Sequence, residues 1–477
     1  MDVSKEMAGA AGLLPADAET VRELVAEWDS HRCRNRLRDE YYLGRAKMKD
    51  LGVSVSKELA AKLDPRIDWA AKSVDWWADR VRFEGVSAPS EADEDSLRSV
   101  FAANDMKNTV HKAASCALRH GCSFMAVTSG DEASGEPKTV VSAFPATAAA
   151  ALYDEARKRI RAGLVVVATA KKYPHQASST ERVPSLAYVM DDDKLIVLAR
   201  DTPASWTAEY RPHGMGRVPM EPIAYHATLE RPFGRSRITR AVMSLVDDAQ
   251  RAMANMAACA AFNAAPQKFL LGADAATARK LAESTFGAYV GSLFAATDNR
   301  AGKTPQFGQL PQVSMQPHVD YMRSLAAQFS GTTGVPLSSL GVVTDNPSSA
   351  EAIYAGKEDA VVDIQSFVDA VKRSIGAVAS MALANERGVS LSEVSADLSV
   401  NFANPAMPSV VSQSDAMVKQ ISAIPWLASS DVALRELGYT EEQIVQLRSD
   451  RRKAQAIMGA DSFLSPKQAV GDADNAG

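Results

Sequence analysis

In a chain of 477 residues, chemistry is first sought where titratable, nucleophilic or phosphate-binding side chains recur at a working spacing. His111, Cys116, His120 and Cys122 are the nearest approach to a metal cluster, and Cys116 and His120, four apart, share a helix face. Structural zinc sites favour closely spaced cysteine pairs, which this set lacks. A simpler reading makes Cys116 a small apolar residue of an Ala-rich helix, seats His120 at that helix's negative end and lets Cys122 open a strand. The stretch AGKTP, Ala301 to Pro305, carries the GKT of a phosphate loop. The glycine that loop needs is replaced by Thr297, and Pro305 stands where the phosphate-binding helix must begin. GMGRVP, Gly214 to Pro219, fails as a dinucleotide fingerprint, with no third glycine and with prolines where a helix should start. Asp191, Asp192, Asp193 and Lys194 contain the D-x-K spacing of metal-dependent nucleases. They lie between two alternating apolar runs, where Asp-rich residues serve as a hairpin turn. Glu91, Asp93, Glu94 and Asp95 read as a solvated helix start. With no G-x-S-x-G, no H-E-x-x-H and no workable Cys/His pair, the sequence assigns no catalytic residue, no metal ligand and no cofactor.

One cluster of charge stays open to two readings. Arg231, Arg235, Arg237 and Arg240 stand together just ahead of an Ala-rich helix. They are either a solvated helix start or, because cations oppose the dipole there, a patch for an acidic neighbour or nucleic acid.

The elements that must position these residues follow from periodicity. The length exceeds what one hydrophobic core normally supports, so several domains or an elongated multi-part subunit are expected. Charged residues are 23% and hydrophobic residues 46%, as in ordinary folded proteins, and 53 basic against 58 acidic residues leave a net charge of -5. Such a balance argues against binding that depends on neutralising many phosphates. Four scattered cysteines are too few for a disulfide framework and point to a reducing compartment. The N-terminus lacks the character of a signal peptide, and no apolar run approaches the ~20 residues that span a bilayer.

Thr20 and Glu23 form a capping-box pair ahead of Val21, Leu24, Val25 and Trp28, with a stop at Gly44. Ile67, Ala70, Val74, Trp77 and Val81 mark a second helix, and the acidic start at Glu91 leads into a third that ends at Gly121. Alternating runs CSFMAVT, KTVVSAF, GLVVVATA, PSLAYVM, KLIVLAR and SWTAEY make 122–226 a β-rich region, closed by the prolines of PHGMGRVPMEPIAYH. The helical period then returns through Ile238, Val242, Leu245, Ala249, Met253 and Met256, dense in alanine, which lets helices approach closely. A shorter helix, stopped at Gly331, precedes GVPLSSLGVVTDNPSSAEAI, Gly334 to Ile353. This apolar loop leads into a helix from Ser349 to Arg387, and two shorter helices and a polar tail follow. The expected fold class is α+β, mainly α.

Four stretches carry a resemblance: YYLGRAKMKDLG (Tyr41 to Gly52), RIDWAAKSVDWWADRVRFEGV (Arg66 to Val86), RPFGRSRITRAVMSLVDDAQRAMANMAACAAFNAAPQKFLLG (Arg231 to Gly272) and GVPLSSLGVVTDNPSSAEAI. In this order they resemble the Gp6-like portal family of tailed bacteriophages, of the type found in phages of actinobacteria. The resemblance implies a subunit with wing, stem, clip and crown regions that assembles as a ring, typically of twelve copies. Laid on this chain it gives a wing region at 1–234, a first stem helix at 235–263, a clip at 264–315 and a second stem helix at 316–333. A channel loop at 334–347, a long wing helix at 348–390 and a crown with polar tail at 391–477 complete it.

On that implication Val335, Leu337, Leu340 and Val342 pack against neighbouring subunits, and Thr344, Asp345 and Asn346 face DNA. Twelve copies at -5 give roughly -60, which suits a conduit where double-stranded DNA slides without sequence specificity. The implied partners are further copies of the chain, the large terminase subunit that supplies packaging energy, a head-tail adaptor, and the major capsid and scaffold proteins, with no membrane. The implied location is the virion, with the host cytoplasm during assembly. Another ring-forming head-tail component, or a packaging motor or nuclease, are the alternative readings.

Overall fold

The computed structural model describes residues 3–47, 64–171, 182–202, 205–264, 268–272, 306–309, 311, 314–342, 358–394, 397–406, 410–439 and 441–464. Among them the chain order is α1 (Val3–Ala8), α2 (Pro15–Tyr42), α3 (Trp69–Ala78), β1 (Phe83–Ser87), α4 (Glu91–Ala103), α5 (Met106–His120), β2 (Cys122–Ser129), β3 (Thr139–Pro145) and β4 (Ala149–Asp154). Then come β5 (Arg159–Lys171), β6 (Arg182–Met190), β7 (Lys194–Thr202), β8 (Ser205–Pro212), β9 (Met220–Ala224), α6 (Arg240–Ala264), β10 (Lys268–Leu271) and β11 (Gln306–Gln309). The series ends with α7 (Gln316–Thr333), α8 (Glu358–Arg387), β12 (Ser399–Phe402), α9 (Val410–Ala423), α10 (Asp431–Glu436) and α11 (Glu441–Leu464).

The five strands β4 to β8 form an antiparallel meander in sequence order. Its inward residues Leu164, Val189, Ile196, Leu198 and Trp206 pack against Val21, Leu24, Val25 and Trp28 of α2. The Trp28 indole N–H donates to the Thr147 carbonyl at 2.9 Å, so the polar edge of this buried ring is satisfied. Helix α2 begins at Pro15, not at the expected Thr20 cap, because proline is tolerated where the first N–H groups are unpaired anyway. The turn between β6 and β7 is built by Asp191, whose side chain accepts the N–H groups of Asp193 (2.9 Å) and Lys194 (2.8 Å). Asp192 pairs with Arg159 and Lys194 with Asp17, each at 2.9 Å, so the D-x-K stretch is a braced turn.

A second sheet has the order β3-β2-β9. Strand β9 carries Pro222 and was not marked by alternation; as an edge strand it tolerates the missing N–H. The two sheets meet closely at Gly163, where a Cβ would fall 2.4 Å from the Met220 sulfur. The largest hydrophobic core gathers α3, α4, α5, α8 and the near ends of α6 and α7, with Trp69, Trp77, Val110, Leu118, Phe329, Ile364, Phe367 and Ile375 at its centre. Helix α8 is fastened to the β2–β3 hairpin, since the Asn385 amide accepts from Ser129 (2.9 Å) and donates to Thr139 (3.0 Å) and the Glu386 carboxylate accepts from Thr139 (2.6 Å).

The start of the expected crown region is tied to the body. Strand β12 pairs antiparallel with β1, and Phe402 stacks edge-on to Phe83 at 5.6 Å. Leu391, Val394, Leu398 and Val400 also pack on the main core. The segment up to Phe402 therefore packs with the body. A pairing between residues so far apart leaves no local trace in sequence. The expected stop at Gly331 is also displaced, because α7 continues to Thr333 and ends at Gly334, whose φ of +69° is the left-handed conformation that glycine adopts freely.

Candidate functional site

Two helices and a loop form the site the sequence pointed to. Helix α6 runs away from the body, the β10–β11 ribbon pairs its far end with the segment entering α7, and α7 returns. At 1.5 Å per residue, α6 is about 37 Å long and α7 about 27 Å. Only their near halves are embedded. On α6 and the turn before it, Ile238, Val242 and Ala249 are fully buried, while Leu245, Met253 and Met256 are half-buried. Val246, Ala252 and Ala254 of the same helix are buried as well. On α7, Leu325, Ala326 and Phe329 are buried and Tyr321, farther out, is half exposed. Ala257, Ala260 and Ala261 lie on the exposed outer half of α6, a smooth surface of small side chains.

The described part of the loop after α7 is partly covered by its own chain. Val335 is wholly buried, and Leu337, Leu340 and Val342 pack on the main core. Val335 thus packs within its own chain, while Leu337, Leu340 and Val342 keep part of their surface exposed. The loop folds back over Trp77 and Ala360, which lie 3.7 and 3.4 Å from where a Gly334 Cβ would be. Leu337–Leu340 forms a single 3₁₀ turn. Thr344, Asp345 and Asn346 lie outside the described residues, as do the AGKTP stretch and most of the expected clip.

The arginine cluster divides. Arg231, Arg235 and Arg240 are exposed, whereas Arg237 is buried, and its inclusion in a surface patch is corrected. Its guanidinium lies over the Trp77 ring at 3.5 Å and faces the Tyr225 ring at 5.5 Å. Nε donates to the Ser73 carbonyl (2.8 Å), Nη1 to the Tyr225 hydroxyl (2.6 Å) and Nη2 to the Thr333 carbonyl. Burial pushes the Arg237 pKa down, and the Tyr225 hydroxyl works against that shift. A charged group of this kind survives burial when its N–H groups find acceptors and its faces find aromatic rings. Tyr225 in turn packs edge-on against Phe367 of α8 at 5.4 Å. Local residue order carries no sign of this hub beyond the paired Trp76 and Trp77.

The His/Cys set is not drawn together as ligands. Cys122 opens β2 and its thiol is pushed up to about 12 by burial, and burial raises the Cys116 thiol as well. His120, the last residue of α5, bonds to Asp39 of α2 at 2.8 Å. Burial lowers its pKa against the pull of that carboxylate. For Asp39, burial acts upward, but the hydrogen bond and charge of His120 and the charge of Arg119 outweigh it and hold the carboxyl below its usual range. Arg119 lies 3.1 Å from Asp39 and Arg38 donates to the His120 carbonyl at 2.6 Å. His111 lies 4.0 Å from Asp79. Among the described residues no group of three or more His, Cys, Asp and Glu is placed to hold a metal, and no helix is long and apolar enough to cross a membrane.

The arrangement is a body of sheets and helices from which two helices project. Residues 22–444 match the family described as phage portal protein, SPP1 Gp6-like. The chain is 23% identical over 435 residues to the portal protein of Mycobacterium phage D29, covering 89% of this chain and 87% of that one. It is 25% identical over 340 residues to the portal protein of Mycobacterium phage L5, covering 68% and 66%. Similar solved structures are a chain of the virion of a native gene transfer agent particle (13% identity, TM-score 0.45, 84% of this chain and 98% of that one) and a chain of the neck of the empty particle (14%, 0.46, 80% and 94%). The chain belongs to the SPP1 Gp6-like family of phage portal proteins. Its fold is the α+β, mainly helical portal fold, and it is a component of the virion.

Proposed function

We propose that twelve copies of this chain close into a ring at one capsid vertex and form the conduit through which double-stranded DNA is packaged and ejected. The observation that carries this reading is the family match over 22–444, which takes in the body and both projecting helices. Helices α6 and α7 are then the two stem helices, the ribbon β10–β11 opens the clip, and α9 to α11 form the crown. Residues 334–347 are the channel loop, with Thr344, Asp345 and Asn346 toward the DNA. The alanines on the outer half of α6 suit this role, because small side chains let neighbouring stems approach closely.

The chain acts here as a conduit and not as an enzyme. A separate ATPase, the large terminase subunit, supplies the energy and docks on the clip, and a head-tail adaptor later takes the same end. Major capsid and scaffold proteins are the partners during assembly in the host cytoplasm. Exposed Arg231, Arg235 and Arg240, at and just before the start of α6, are proposed to meet an acidic neighbour or DNA.

Light scattering with negative-stain imaging tests the reading. Twelve copies of 51.0 kDa give about 0.6 MDa and a particle with a central hole. A stable monomer that hydrolyses ATP or cuts DNA overturns it.

A further inference from the structure

We propose that Arg237 is the positioning residue that fixes where the chain leaves α7 and enters the segment 334–342. Its side chain reaches elements that the sequence separates widely. Ser73 and Trp77 belong to α3, Tyr225 follows β9, and Thr333 is the last residue of α7. Arg237 itself precedes α6, so one guanidinium joins the entry of one projecting helix to the exit of the other.

The geometry at Thr333 explains why the exit depends on it. The last carbonyls of a helix have no intrahelical donor and must find one elsewhere. The Thr333 carbonyl takes its donor from Arg237, and the very next residue, Gly334, turns the backbone left-handed. The Gly334 N–H donates to the Ser330 carbonyl at 2.8 Å and the Thr333 hydroxyl donates to Phe329 at 2.7 Å, so the turn is closed on its α7 side. On its other side Gly334 lies against Trp77, the ring that Arg237 stacks upon. The same cation therefore holds both walls between which the chain turns.

The backbone of Arg237 is itself anchored, its N–H donating to the Leu118 carbonyl at 2.8 Å, and Ser236 donates its hydroxyl to Arg119. The support is rigid, and only the long side chain spans to α7. Lysine keeps the charge but lacks the planar fork, so it cannot meet three acceptors in three directions while stacking on a ring. Methionine keeps the apolar stem and no donor.

Hydrogen–deuterium exchange of the full-length protein tests this with R237K, R237M and Tyr225→Phe, which removes one acceptor and keeps the ring. The expected result is at least tenfold faster exchange in peptides covering 330–342 in both Arg237 variants, a smaller rise in Tyr225→Phe, and unchanged exchange in β5 to β8. Unchanged exchange at 330–342, or a rise of equal size throughout the chain, overturns the proposal. If R237M fails to fold, R237K and Tyr225→Phe decide it alone. The consequence for a channel loop rests on the proposed function, but the readout involves neither DNA nor ring closure. A chain that proves monomeric leaves this test intact, and unchanged exchange leaves the ring reading standing.

Discussion

Gly234→Ala probes the loop that delivers Arg237. The chain from Tyr225 to Arg235 doubles back, with Thr228 and Arg231 exchanging backbone hydrogen bonds and the Arg235 N–H donating to the Tyr225 carbonyl at 2.8 Å. Gly234 sits inside that return at φ +69°, and a Cβ there would lie 2.2 Å from the Tyr225 carbonyl oxygen and 3.0 Å from that of Gly121. Both are backbone atoms, so no side chain can swing aside. A left-handed conformation costs an alanine about 1–2 kcal/mol. Forcing a methyl group into a packed site costs a further ~1–3 kcal/mol. Together the loss is about 2–5 kcal/mol, and at roughly 1 °C per kcal/mol for a chain of this length the thermal midpoint falls by about 2–5 °C. Gly331→Ala is the internal control. Gly331 lies within α7 with nothing near its would-be Cβ, so alanine stabilises the helix by about 1 kcal/mol and raises the midpoint slightly. Differential scanning fluorimetry at one protein concentration measures both. A Gly234→Ala midpoint within about 1 °C of the parent refutes the reasoning, because the return of the chain would then have room that the distances deny.

Stability should fall on acidification in two windows. The folded pKa of His120 lies below 6.5, so its contribution is complete above 6.5 and declines as pH drops from there toward the folded value. His226, also lowered by burial and by Arg235, acts in the same direction. Asp39, depressed below 3.8, adds stability that is present above 3.8 and lost as pH falls through its folded pKa. Thermal midpoints taken from pH 8 to 5 should slope downward, and less steeply in His120→Gln; equal slopes in the two proteins count against the assignment. Phe329→Ala removes a fully buried ring that packs on Trp69 at 5.2 Å, and the expected loss is about 3–5 kcal/mol. Denaturation followed by tryptophan fluorescence measures it, and a loss below about 1 kcal/mol would mean that α7 is not seated on the body as described.

Long periodic elements were legible in the sequence because their signal is local. The stripe of α2, the Ala-rich α6 and the apolar face of α8 repeat often enough to identify themselves, as do the alternating strands β5 to β8 with their Asp-rich turn. Elements that depend on distant partners were not. Strand β4 is a run of alanines with weak strand preference, held by pairing with β5, and β1 and β12 are short and meaningful only together. The arginines near 237 show the same limit at a single residue. Four share one basic stretch, and nothing nearby says that the third turns inward onto two rings while the others stay in water. The loop after Gly334 was recognised as needing cover, and only the tertiary fold brings Trp77 and Ala360 of the same chain beside Gly334.

The β1–β12 pair bears on how the subunit is made. Phe83 emerges early from the ribosome and its partner Phe402 late. At about 5–20 residues per second, roughly 15–65 s of synthesis separates them. Throughout that interval the edge of β1 has no strand beside it, although Phe83 can already pack edge-on against Phe101. The body becomes complete only when most of the message has been read. A nascent chain thus carries its own clock, and a subunit truncated before 399 leaves the ribosome with an open edge instead of a finished surface to offer its neighbours.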